Sequence, residues 1–145
     1  MKNIKIQSDE GENKMYEMKD EYLTGIESID KEHARLFEIA EETYQLKQEQ
    51  FLVDKYDQVR DILCELRDYT KMHFEHEEAY MESIGYKKLF SQKVAHTEFI
   101  EKLEDWDLDH LDENSDAMID EILNFLAGWL VDHILYSDKL IGAQE

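Results

Sequence analysis

The sequence predicts an all-α protein: an up-down-up-down antiparallel four-helix bundle with an extended N-terminal lead-in. The 145 residues include no proline and only 5 glycines, the residue types that interrupt helices most strongly. Apolar residues recur every three or four positions along four stretches, which is the spacing of a helix face that packs against a core. We expect residues 1–20 to form the lead-in and residues 21–145 to form one bundle domain.

Each predicted helix is marked by one apolar stripe. The stripes cover residues 29–44, 62–84, 89–106 and 119–134. The breaks between them are short and lie at residues 50–54, 85–86 and 110–115. Because short connections force neighbouring helices to run antiparallel, this order predicts an up-down-up-down bundle.

Polar residues interrupt the first two stripes at positions that should face the core. In the first, His33 stands between Ile29 and Leu36. In the second, His73 and Glu77 are four residues apart, so their side chains lie on the same face of the helix. We therefore expect an imidazole from the first helix to meet an imidazole and a carboxylate from the second.

The last two stripes are interrupted in the same way. His96 lies in the third stripe with Gln92 one turn before it, and His133 lies in the fourth with Asp138 five residues later. On an ideal helix, five residues place two side chains about 140° apart. We expect Asp138 to reach the site because the last turn of the helix unwinds near its end.

The types of these buried polar residues predict a metal site. An isolated buried carboxylate is costly to desolvate, and a cation removes much of that cost. Imidazole and carboxylate without thiolate suit iron, manganese, zinc or copper, and disfavour calcium or magnesium. Four histidines with two carboxylates are too many for one tetrahedral zinc ion. They suit two octahedral ions bridged by carboxylates between facing helices.

Charge and composition restrict the partners and the location. The formal net charge of −20 comes from 36 acidic and 16 basic residues, which argues against nucleic acid and anionic membranes as partners. No apolar run approaches the roughly 20 residues of a membrane span, and the N-terminus does not resemble a signal peptide. We expect a cytoplasmic protein. Cys64, the only cysteine, excludes an intrachain disulfide and is expected to pack as a small apolar residue.

Three motifs, in this order, resemble the hemerythrin family, in particular its single-domain bacterial members. The first is GIESIDKEH, ending at His33; the second is HFEHEE, from His73, with Met81 after it; the third is WLVDHI, followed by Asp138. The resemblance extends over about residues 18–139. It is specific because the motifs occur together and at matching spacings.

The resemblance implies two iron ions joined by an oxo or hydroxo group, with dioxygen as the ligand. It implies that the protein binds oxygen for carriage, storage, delivery or sensing, and it favours an oxygen-binding protein over an enzyme. The metal ligands carried over are His33 and His73 on the iron that takes O2, His96 and His133 on the other iron, and Glu77 and Asp138 as bridges to both.

Gln92 departs from the family pattern, in which the third helix carries two histidines four residues apart. Three outcomes are open: the amide oxygen of Gln92 binds the metal, a water takes the position, or the second metal is lost or replaced. His76, three residues after His73, is a candidate to compensate. The departure also leaves two alternatives to oxygen binding: a di-iron enzyme that reduces peroxide or nitric oxide, and a bundle whose metal serves structure or iron storage.

Overall fold

The computed structural model describes residues 14–49, 55–106 and 111–143, with the backbone alone for residues 111–115. Its four long helices are α1 (Glu27–Gln48), α2 (Tyr56–Ser83), α3 (Leu89–Asp105) and α4 (Leu111–His133). A π-helical turn, Ile134–Asp138, continues α4 into the short helix α5, Lys139–Gly142. The described residues contain no strand. The predicted all-α four-helix bundle is confirmed.

The predicted apolar stripes form the core. Helix α1 packs against α2 and α4, and α2 packs against α3. Each helix contributes side chains that are at most 1% exposed, among them Leu36, Leu66, Phe99, Leu103, Ile122 and Leu126. Burying a side chain of this size contributes about 1.5–3 kcal/mol, so this packing holds the four helices in fixed register around the residues that interrupt the stripes.

One predicted break is confirmed and another is wrong. Helix α2 ends at Ser83 and α3 begins at Leu89, with Gly85 between them at a φ of 67° that favours glycine. Residues 111–115 belong to α4 instead of a connection, because the segment LDENS contains no proline or glycine to interrupt a helix. His110 and the predicted break at 50–54 lie outside the described residues.

The described part of the N-terminal segment lies along α1. Residues 14–19 are non-helical and a single 3-10 turn follows at Asp20–Tyr22. The backbone N–H of Tyr16 donates to Oε1 of Glu41 over 2.9 Å. The ring of Tyr22 stacks on Phe37, with centroids 5.0 Å apart. These contacts attach the segment to the bundle on the side of α1.

Cys64 does not pack in the core, and that prediction was wrong. Its neighbours Leu63 and Leu66 on α2 are at most 1% exposed, whereas Cys64 is exposed. Successive residues on a helix are rotated by about 100°, so the position next to a core leucine points to the outside. Across the part of the chain that is described, no helix combines the length and apolar character needed to cross a membrane.

Candidate metal centre

The six histidine and carboxylate residues predicted from the sequence converge in the interior of the bundle. All six are between 0 and 8% exposed. Their ligand-type atoms form two groups of four, in each of which the atoms lie within 4.8 Å of one another. We call the groups the first tetrad (His33, His73, Glu77 and Asp138) and the second tetrad (His96, His133, Glu77 and Asp138). The two carboxylates belong to both.

Glu77 divides its two oxygens between the tetrads. Its Oε2 lies 3.5 Å from Nε2 of His33 and 3.6 Å from Nε2 of His73. Its Oε1 lies 3.0 Å from Nε2 of His96. Two ligands bound about 2.1 Å from one ion at right angles are about 3 Å apart. The atoms around Glu77 therefore have the spacing of groups that share a cation.

Asp138 also places one carboxylate oxygen in each tetrad. Its Oδ2 lies 3.0 Å from Nε2 of His33, in the first tetrad. Its Oδ1 lies 3.1 Å from Nε2 of His133, in the second. Together with Glu77, this carboxylate joins two adjacent positions, as a bridging ligand does.

A π-helical turn brings Asp138 into the site, and the unwinding expected from the sequence does not occur. The backbone remains helical from His133 through Ile134–Asp138 and into α5. A π-turn closes i to i+5 hydrogen bonds instead of i to i+4, so residues five apart face the same side. The spacing that is wrong for an α-helix is right for this turn.

The buried polar atoms of the cluster lack the hydrogen bonds that such atoms normally form. Nε2 of His33, His96 and His133 and both oxygens of Glu77 have no aligned hydrogen-bond partner. A buried polar atom left unsatisfied costs about 1–3 kcal/mol, and lone pairs aimed at one point are satisfied by a cation. The residues therefore fit a metal, and imidazole with carboxylate fits iron among others.

The electrostatics of the cluster favour a cation. Burial opposes protonation of His33, but the adjacent carboxylates of Asp138 and Glu77 outweigh it and raise its pKa to about 9. Burial likewise opposes protonation of His96, whose pKa is nevertheless raised by Glu77. Burial would raise the pKa of both carboxyl groups, yet the surrounding histidines hold both values below their usual range. When no metal is bound, protons on these histidines supply the positive charge that a metal would otherwise bring to the carboxylates.

Two carboxylates outside the tetrads orient the histidines. Nδ1 of His73 is 2.7 Å from Oε1 of Glu32, and Nδ1 of His96 is 2.7 Å from Oε2 of Glu78. Such contacts fix the tautomer of a metal-binding imidazole and increase its basicity. Neither acid was predicted from the sequence. Glu32 directly precedes His33 and Glu78 follows Glu77, but adjacency in an acidic chain is a weak indication.

His76 does not compensate for Gln92. Its side chain is 58% exposed, and its Nδ1 lies 2.6 Å from Oε2 of Glu32. This contact directs His76 toward α1, and His76 belongs to neither tetrad. Three residues after His73, its side chain is rotated by about 60° around α2 from that inward-facing position, and it lies on the exposed surface.

Gln92 lies beside the second tetrad. It is 4% exposed, and its Nε2 donates to Oδ1 of Asp138 over 3.2 Å. Its Oε1 has no hydrogen-bond partner. The residue that departs from the family pattern therefore contacts a predicted bridging carboxylate through its nitrogen, and its only possible ligand atom is unpaired.

Aromatic rings enclose the second tetrad. Phe74 stacks on His96 with centroids 3.9 Å apart and planes 2° apart. Trp129 stacks on His133 at 4.1 Å and 12°. Each ring covers one face of its imidazole and restricts the rotation of that imidazole. Electrostatic interactions within the cluster are correspondingly stronger than they would be in water.

The fold and the cluster define a metal-binding four-helix bundle. Residues 24–144 match the family described as Hemerythrin HHE cation binding domain, and the chain belongs to the hemerythrin family. The family predicted from the three motifs is thereby confirmed. Membership also supports the coarser functional expectation, a non-haem iron protein that binds oxygen.

Individual relatives agree. The chain is 46% identical to a bacteriohemerythrin of Clostridium acetobutylicum over 125 residues, which cover 86% of this chain and 97% of the relative. It is 29% identical to a bacteriohemerythrin of Pseudomonas aeruginosa over 119 residues, 82% of this chain and 74% of the relative. It is also 35% identical to a hemerythrin of Themiste dyscrita over 74 residues, 51% of this chain and 54% of the relative.

Proposed function

We propose that this protein binds dioxygen at a pair of iron ions held between the two tetrads. The observation that carries the proposal is that both tetrads share Glu77 and Asp138. A site for one ion needs neither a second set of histidines nor two carboxylates whose oxygens point to opposite sides. The roles of the six residues are those that the resemblance implies.

In this proposal His33 and His73 would hold one iron, and His96 and His133 would hold the other. Glu77 and Asp138 would be shared by the two metal positions, and their charges would offset part of the positive charge of the pair. When bound, the iron pair supplies the electrons and the coordination position that dioxygen requires. The side chains hold the metal and shape the pocket, and none of them forms a covalent bond with the ligand.

The outer carboxylates determine where protons lie. With Glu32 accepting the Nδ1 proton of His73, the Nε2 lone pair of that imidazole faces Glu77 and the metal position. Glu78 has the same effect on His96. Both imidazoles then bind as neutral bases, and metal uptake does not require either ring to turn.

Metal content combined with a visible spectrum tests the proposal. The protein is loaded with ferrous iron without oxygen, its iron is counted, and it is then exposed to O2 and deoxygenated again. We expect two irons per chain and charge-transfer absorption that appears with O2 and disappears on deoxygenation. Fewer than one iron per chain would contradict the proposal. Stable iron without a reversible spectrum would indicate instead that the metal serves structure or iron storage.

A second candidate function is reduction of peroxide or nitric oxide at the same centre. It is favoured by Gln92, because an amide oxygen is a weaker ligand than the imidazole it replaces. The two functions differ in one observable. A catalyst consumes added peroxide through many turnovers while its O2-induced spectrum bleaches, whereas an oxygen-binding protein retains a stable, reversible spectrum.

A further inference from the structure

We propose that the second tetrad has an exchangeable coordination position beside Gln92, and that a small anion reaches it through a cleft at the protein surface. The inference rests on the proposed function, since it requires a metal at His96 and His133. It concerns the opposite half of the centre from His33 and His73, where the resemblance places the O2 ligand.

The state of the Gln92 amide is the first observation. Its nitrogen donates to Oδ1 of Asp138, the oxygen that lies 3.1 Å from Nε2 of His133. A hydrogen bond to a charged carboxylate is stronger than one between neutral groups. The amide oxygen would have to turn toward the metal at the expense of that bond. It would gain only a weak, neutral ligand contact in return.

A small anion can bind the metal without breaking the hydrogen bond between Gln92 and Asp138. It supplies a negatively charged donor to the metal and leaves the bond between Gln92 and Asp138 intact. A metal with two imidazoles and two bridging carboxylate oxygens has room for a further ligand of this kind. We infer that Gln92 acts as an outer hydrogen-bond donor and that the position at which the family pattern has histidine stays exchangeable.

A surface cleft of about 300 Å³ is the second observation, and both Gln92 and His133 line it. Its other lining residues include the hydroxyl-bearing Ser91 and Ser137 and the cationic Lys88. Among the residues that the structure describes, no aspartate or glutamate lines it, although the chain contains 36 acidic residues. An opening without carboxylates is the route that an anion would take into a protein of net charge −20.

The buried, unpaired Oε1 of Gln92 connects the two observations. The residue is 96% shielded from solvent in the described structure, since its exposure is 4%, and yet that oxygen has no partner. It belongs to a residue that lines the polar opening beside the predicted metal position. A small ligand that enters there would reach the predicted metal position of the second tetrad.

Azide titration of the iron-loaded, oxidised protein tests the inference, with iron counted in the same samples. We expect two azides per iron pair in the wild type and one in Gln92→His, in which an imidazole fills the position. Two irons with one azide in both proteins would overturn the inference and leave the proposed function standing. Fewer than one iron per chain in the wild type would overturn both.

A second pair of variants tests the entry route without altering the cluster. Ser91→Phe places a large side chain in the cleft, whereas Val94→Phe adds the same side chain at an exposed position of α3 outside it. The second azide should bind several-fold more slowly to Ser91→Phe and at the wild-type rate to Val94→Phe. Equal rates in both variants would show that anions do not enter through the cleft.

Discussion

His133 and Asp138 meet across a π-helical turn, with Nε2 of the histidine 3.1 Å from Oδ1 of the aspartate. The extra residue in the turn directs the carboxylate inward while the chain stays helical. Asp138 can then reach His33 on α1 with its other oxygen. The π-turn thus allows Asp138, at the end of the last long helix, to contact His33 on the first.

Asp138→Asn tests the bridging role that follows from this relationship. The substitution keeps the shape of the side chain but removes the charge that two positions share. We expect the iron content to fall from two per chain to one or fewer. Asp132→Asn is the matched control, because Asp132 is an exposed aspartate on α4, one residue before His133. If both variants retain two irons, Asp138 is not a bridge.

Glu32→Gln tests the orienting role of the outer carboxylate. The loss of its charge weakens the contact with Nδ1 of His73, and changes of this kind typically cost roughly 10- to 100-fold in metal affinity. The measurement is competition with a chelator, followed by iron absorbance. Glu27→Gln, at an exposed position of the same helix, should match the wild type. Equal affinities for both variants would contradict the role.

The stability of the metal-free protein should fall as the pH rises. The pKa of His33 is about 9 in the fold and 6.5 when the group is unperturbed. Its protonated form therefore contributes stability fully below about pH 6.5, and this contribution disappears as the pH passes through about 9. We expect a loss of at most about 3 kcal/mol in the free energy of unfolding.

Urea unfolding of the metal-free protein below pH 6.5 and above pH 9 measures this change. The His33→Gln variant should lose less stability than the wild type between the two conditions, because its side chain does not titrate. An equal loss in both proteins would assign the pH dependence to other groups.

The same protonation predicts that metal binding releases protons near neutral pH, which a weakly buffered titration detects.

Gly142→Ala tests the contact between the C-terminal helix and the segment before α1. A Cβ at Gly142 would overlap the backbone carbonyl of Thr24, whereas a Cβ at Gly128 would meet nothing within 4 Å. We expect Gly142→Ala to destabilise the protein by about 1–3 kcal/mol. Gly128→Ala should stabilise it by about 0.5–1 kcal/mol, since Gly128 is exposed in α4. A thermal unfolding temperature that is higher for Gly142→Ala than for Gly128→Ala would contradict this packing.

Much of the fold and cluster could be predicted because both depend on helical periodicity. The apolar stripe of each helix identifies its buried face, and a histidine within a stripe is conspicuous for the cost of burying it. His33 and His96 were identified in this way. Glu77 was identified because it lies one turn after His73.

The remaining features depend on information that the local pattern lacks. The segment ILYSD of the π-turn contains no proline or glycine that would mark an irregularity, so the unwinding expected at Asp138 was a reasonable but wrong alternative. Glu32 and Glu78 resemble many other acidic residues of the chain. The exposure of Cys64 depends on a rotation of about 100° from its core neighbour.

Mössbauer spectroscopy of the iron-loaded protein, with iron counted in the same sample, tests the central claim most directly. If Glu77 and Asp138 join two positions, we expect two irons per chain whose magnetic moments are coupled through the bridge. Fewer than one iron per chain, or two irons with independent magnetic behaviour, would contradict the shared-carboxylate centre.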